Sequence, residues 1–182
     1  LPELDDEFAK DVSEFDTLEE YKADLRKKLV EQAENRAKHE NENNVVDKAV
    51  ENATIDIPSV MIEKRIDDMV YDTGMRMSYQ GLELDKYLEM TGMDMKAFRE
   101  QYKEKAEQDV KTQLVLEKIG AVEAIVPDDN DTNEEIKNMA ETYKQSEEDF
   151  RKHLNDDDIE YIRNNLVIKK TVDFLVENAK LD

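Results

Sequence analysis

Side chains suited to catalysis or metal binding are thinly spread through this sequence. Its two histidines, His39 and His153, each stand alone in a charged stretch. A carboxylate di-iron bundle needs Glu-x-x-His on two helices, so that both ligands project from one face. Arg36 and Phe150 occupy the positions three residues before the histidines, and both matches fail. Cysteine is absent, which removes thiolate nucleophiles, thiolate ligands and disulfides together. The phosphate-cradling, dinucleotide-binding and H-E-x-x-H zinc patterns do not occur. The many glutamates read as solvated helix faces. We therefore expect no catalytic residue, no metal and no cofactor.

What does concentrate is soft apolar chemistry. Seven of the eight methionines fall within residues 61–95: Met61, Met69, Met75, Met77, Met90, Met93 and Met95. Methionine is unbranched and polarizable, so it adapts to irregular apolar partners. Tyr71, Tyr79 and Tyr87 are interleaved and offer ring contact together with a hydrogen-bonding tip. Ordinary packing between two helices is one account of this cluster. The angular spacing argues for another. On a helix, Met69 and Met77 lie roughly 80° apart, and Met75 falls beyond Met77, away from any shared seam. Some of these side chains are expected to stay exposed. The pattern makes Met61, Met69, Met75, Met77, Tyr79 and Tyr87 candidate contacts for apolar segments of other proteins.

The elements that carry these residues read as nearly all α, because helix formers dominate and the chain holds only four Gly and three Pro. A short helix is expected over 4–12. Thr17, with Glu20 three residues on, is a capping box opening a helix that nothing breaks until about 52. Leu18, Tyr21, Leu25 and Leu29 mark one face of it, whereas residues 31–44 hold almost nothing large and apolar. That middle reads as a solvated strut. An extended link over 53–57 leads to Pro58, placed in the first turn of a helix over 60–79 that Gly81 ends. A short helix over 85–91 is closed by Gly92. Asp94 caps a long helix expected to run unbroken over 95–125. A polar loop over 127–132 precedes helices at 133–143, 147–154 and 159–178.

The 182 residues suffice for one sizeable domain, and Leu, Ile, Val and Phe supply roughly 24% of them, so the core must be thin. Acidic residues outnumber basic ones 47 to 26, for a net charge of -21. Such a surface repels phosphate backbones and anionic headgroups, so neither nucleic acid nor membrane is an expected partner. Solubility alone accounts for the charge. A protein that exposes apolar patches without self-association would also need it.

Three blocks of the sequence resemble the trigger factor family. They are LPELDDEFAKDVSEFDTLEEYKADLRKKL at 1–29, GLELDKYLEMTGMDMKAFREQYKEKAEQDVKTQLVLEKI at 81–119, and the closing LVENAKLD. Together with their order they extend the likeness over 1–182, which would be one C-terminal chaperone domain. The resemblance implies an elongated all-α, multi-helix domain with a long strut helix and two projecting helical arms. It implies a cradle for unfolded or nascent polypeptides that works without ATP in the cytoplasm, and leaves room for a weak homodimer. It also implies that Met139, Tyr143 and Phe150 contact substrate. The family's ribosome-docking loop and its isomerase domain have no counterpart here, so ribosome binding and prolyl isomerisation would belong to a longer parent. Two other readings stay open: a periplasmic SurA-type or PrsA-type chaperone core, and a helical scaffold with one fixed protein partner.

Overall fold

The computed structural model describes residues 3–180. Among them every regular element is a helix: α1 (Asp6–Val12), α2 (Leu18–Glu51), α3 (Ser59–Tyr79), α4 (Leu84–Thr91), α5 (Met95–Glu100), α6 (Lys103–Val122), α7 (Asp129–Thr142), α8 (Glu147–Lys152) and α9 (Asp156–Asn178). The chain divides into two compact units, Leu1–Asn44 and Val45–Asp182.

The first unit is a short helix turned back on the start of a long one. Asp5 caps α1 by accepting the Phe8 N–H at 2.9 Å. Asp6 reaches across the turn and takes the Leu18 N–H at 2.8 Å, satisfying one of the amides that a helix start leaves orphaned. Thr17 accepts the Glu20 N–H at 3.2 Å, as its sequence position suggested. Phe15 and Tyr21 close the turn with ring centroids 6.5 Å apart. Beyond this hairpin α2 has little to lean on. Every residue over 25–41 is exposed, including Leu25, Leu29 and Val30. The solvated stretch therefore begins earlier than the Leu18–Leu29 stripe implied.

In the second unit α6 is the central element. It packs against α3 on one side and α9 on the other, α9 packs on α7, and α8 closes over α7. Buried residues at these contacts are often small: Ala106 on α6 and Thr171 on α9 have no exposed surface, and Ala140 on α7 has 1%. Where α6 meets α9, a Cβ placed on Gly120 would lie 2.9 Å from Thr171 Oγ1 and 3.0 Å from Val167 Cγ1. Only glycine fits that approach. On the α3 side the contact is fixed by charge. Arg65 donates from Nε and Nη2 to Asp109 Oδ2 at 3.1 and 2.8 Å, and Lys105 reaches Asp109 Oδ1 at 2.8 Å. Burial works against the Asp109 carboxylate, but the Lys105 and Arg65 hydrogen bonds outweigh it and hold the carboxyl below its ordinary range.

Three expectations are corrected at element boundaries. Pro58 stands at the N-cap of α3, one residue before its first turn. The helix expected over 95–125 is two helices, because the Gln101 and Tyr102 N–H groups bond three residues back, to Phe98 and Arg99, and tighten the chain there. At that bend Phe98 is buried with Tyr87 and Tyr102 edge-on to it, at 6.2 and 5.3 Å. Helices α7 and α9 each begin three or four residues earlier than expected. Their starts are capping boxes built without Glu: Asp128 with Asp131, and Asn155 with Asp158. Each pair exchanges side-chain and backbone hydrogen bonds at 2.8–3.0 Å.

Two predictions follow from these contacts. Gly120→Ala is expected to cost about 1–3 kcal/mol through overpacking; an unchanged thermal midpoint by circular dichroism would show that α9 yields freely. Asp109→Asn is expected to cost about 1 kcal/mol at neutral pH, since the ion pair is partly solvated. The folded carboxyl titrates below an unfolded one, so its contribution is complete above the ordinary carboxylate pKa and is lost as pH falls through the folded value. Urea unfolding should therefore show the gap between Asp109→Asn and the parent sequence shrinking once pH falls below the ordinary carboxylate range.

Candidate functional site

Gly92 and Gly81 position the methionine-rich region. Both take positive φ, +67° and +79°, and let the chain reverse after α4 and α3. The Leu82 N–H then closes on Met77 O at 3.0 Å and the Met93 N–H on Leu88 O at 3.1 Å, a helix-ending pattern that glycine favours. These turns bring α4 and α5 back onto α3. Between the three helices lies an open groove of about 410 Å³. Its α3 wall is two adjacent helical rows, Asp67–Tyr71–Met75 and Val70–Gly74–Ser78, and Leu84 faces them from α4. Gly74 leaves room in the wall, for a Cβ there would sit 3.7 Å from Leu84 Cδ2, an ordinary contact distance. Arg99, from α5, borders the groove and binds Asp67 and, at 2.8 Å, Glu63. Those hydrogen bonds raise the guanidinium further above its usual range.

The candidate residues separate around this groove. Met75 lines it and is 39% exposed. Met61 and Tyr79 are exposed on α3 but outside its wall; Tyr79, at 85%, is almost free of the protein surface. Met69 and Met77 are half-buried. They share a helical row with Thr73, whose Oγ1 accepts the Tyr102 hydroxyl at 3.0 Å, so that row faces the α5–α6 bend. Tyr87 is half-buried, edge-on to Phe98. Tyr71, 66% exposed, is the groove residue that the methionine pattern did not single out.

The resemblance-derived trio is brought together at the other end of the unit. Met139 and Phe150 pack against the buried cluster of Ile136, Ile162 and Leu166. Tyr143 stacks on Phe150 with centroids 5.8 Å apart and planes at 18°, and stays 64% exposed. Met139 also lines a groove of about 210 Å³ between α7 and α9, with Tyr161 at its edge. Tyr161 belongs in turn to a larger groove of about 710 Å³ between the end of α6 and α9. Little in the residue pattern marks that third groove. Three of its apolar members, Ala124, Ile125 and Val126, lie in a non-helical link, and Ala124 adopts a left-handed φ of +53° where glycine is usual. Tyr161, two-thirds exposed beside buried Ile162, is visible as an apolar side chain on the wrong helical face.

Among the described residues no group of three or more His, Cys, Asp or Glu side chains is placed to hold a metal, and no helix is long and apolar enough to cross a membrane. These features define an all-helical domain whose large apolar side chains line several open grooves. Residues 17–177 match the family of bacterial trigger factor protein C-termini, and the chain belongs to that family. It is 60% identical over 181 residues to trigger factor of Acetivibrio thermocellus and 54% identical over 182 residues to that of Ruminiclostridium cellulolyticum, covering 100% of this chain and 42% of either relative. The chain thus spans well under half the length of those relatives. Two solved structures share the fold. One, of trigger factor domains from Thermotoga maritima, has a TM-score of 0.58 at 20% identity and covers 79% of this chain and 83% of that one. The other, a trigger factor chaperone studied for promiscuous substrate recognition in folding and assembly, has a TM-score of 0.57 at 25% identity and covers 99% and 44%.

If Gly74 is only a vacancy in the wall, Gly74→Ala should stabilise α3 by up to about 1 kcal/mol, since glycine within a helix costs that much. A loss of stability in urea unfolding would instead show that Leu84 needs the space.

Proposed function

We propose that this chain is a chaperone domain that holds unfolded or nascent polypeptide segments in separate apolar grooves, without nucleotide, and so keeps them from aggregating. The observation that carries this reading is the placement of large apolar side chains. Tyr71, Met75, Tyr161 and Val126 line grooves and stay exposed, apart from the buried layers that Ile66, Phe98, Leu116, Ile136 and Leu166 share with small residues such as Ala106, Gly120 and Ala140. Membership in the trigger factor family supports the same reading.

The energetics suit loose holding. A segment burying about 100 Å² of apolar surface in one groove gains about 2.5 kcal/mol. Ordering the segment offsets much of that. One groove is therefore weak, and useful affinity needs one client chain to engage several, each raising the effective concentration at the next. Release then requires no chemical step. Acidic rims such as Asp67 and Glu83 keep loaded and empty molecules apart. On the same reading the domain works in the cytoplasm. A longer parent would add ribosome docking and prolyl isomerisation through parts outside this chain.

The test is the double variant Tyr71→Ser, Met75→Gln, in suppression of aggregation of a chemically denatured enzyme. We expect a several-fold higher chaperone concentration to be required, with helicity and thermal midpoint unchanged. Equal suppression by the variant and the parent sequence would remove the α3–α4–α5 groove from the client-binding surface. Tight, stoichiometric capture of one partner and no effect on diverse clients would favour a fixed scaffold instead.

A further inference from the structure

The chain contains no cysteine, so any sulfur chemistry falls to methionine. The methionines differ sharply in setting. Met69, Met77 and Met139 are half-buried. The Met93 sulfur already accepts an N–H from Gln101 Nε2 at 3.3 Å. Met90 is the most exposed, at 74%, but does not line the α3–α4–α5 groove. Met75 combines both properties: it is 39% exposed, and it forms part of the groove wall beside Tyr71 and across from Leu84.

We propose that Met75 is a reversible modification site, whose thioether takes one oxygen atom from a hydroperoxide and thereby closes this groove to apolar segments. The inference rests on the client-binding reading of the groove. A sulfur lone pair attacks the terminal peroxide oxygen. The S–O bond forms as the O–O bond breaks, and the proton of the attacked oxygen passes to the departing one, which leaves as water or an alcohol. Sulfur is oxidised by two electrons and the peroxide is reduced by two. The product sulfoxide replaces a soft apolar contact with a strong dipole. Arg99, the groove's cation, is held by Asp67 and Glu63, so the new oxygen keeps its water. A client segment would have to strip that water without supplying a replacement, at a cost that a weak site does not recover. Reduction of the sulfoxide by a dithiol-dependent reductase reopens the groove.

The experiment measures binding of a fluorescein-labelled, unstructured peptide rich in Leu and Phe, by anisotropy, before and after hydrogen peroxide treatment. Peptide mapping by mass spectrometry locates the added oxygen, and circular dichroism checks the fold. We expect oxygen on Met75 and about three- to tenfold weaker binding, restored by methionine sulfoxide reductases with dithiothreitol. Met75→Leu cannot take the oxygen, so its own affinity should be the same before and after treatment, whatever its starting value. Met90→Leu should respond as the parent sequence does. Met75 left unmodified while Met90 is converted would overturn the proposal, as would an equal peroxide response in Met75→Leu. Peptide binding that is insensitive to Met75 oxidation would overturn it and leave the client-binding reading standing. Absence of peptide binding before any treatment would take both away.

Discussion

The second unit depends on how closely α6 approaches its neighbours. With so few large apolar residues and so much charge, helices cannot be held apart by thick layers of Leu and Phe. Thin layers of buried Ile, Val and Leu are interleaved with small residues that let the helices close on one another. Gly120 lets α9 come within contact of the α6 backbone, with Thr171 returning its hydroxyl to Val167 O at 2.7 Å so that nothing polar is stranded. Ala106, fully buried on α6, and Ala140, nearly so on α7, serve the same close packing. Dispersion gained at short range substitutes for the area that bulky side chains would have buried.

Layers this thin do not take up every bulky side chain. Tyr71, Met75, Val126 and Tyr161 therefore line clefts between helices instead of filling them. An ordinary core would be destabilised by such gaps. Here the gaps face solvent, and ion pairs brace their edges: Arg99 with Glu63 and Asp67 beside one groove, Lys169 with Glu135 at 3.0 Å beside another. Lys170 bonds Asp131, and that hydrogen bond, with the Asp128 N–H, lowers the Asp131 carboxyl below its usual range while tying the start of α7 to α9. Charge thus does locally what apolar burial does in richer sequences.

Much of this was legible from residue type and spacing. The bounds of α2 and α4, and the glycine ends of α3 and α4, follow local rules that tertiary context did not override. The three sequence blocks pointed to the family that the comparison then showed. What escaped was of two kinds. Some signals were present but unfamiliar: Asp and Asn boxes at the starts of α7 and α9 sit in runs of Asp that look like loop. Others exist only in three dimensions. Nothing local marks the bend at 101–102, which answers to Phe98 and Tyr102 packing together. Nor does helical spacing say which methionine row meets a neighbour. Met69 and Met77 turn towards the α5–α6 bend, Met75 towards open space, and only the position of α4 decides between them.

Helix α2 carries a consequence of its own. Over 25–41 it buries nothing, and its visible side-chain support is a few local pairs such as Lys28 with Asp24 at 2.8 Å and His39 with Glu42 at 3.0 Å. A stretch with that little tertiary support sits near helix–coil balance. Its amides exchange with solvent through local fraying, at a free energy well below that of the packed α6–α9 region. Melting is therefore expected to be uncooperative along this one helix, its solvated middle opening before the end that carries buried Val50.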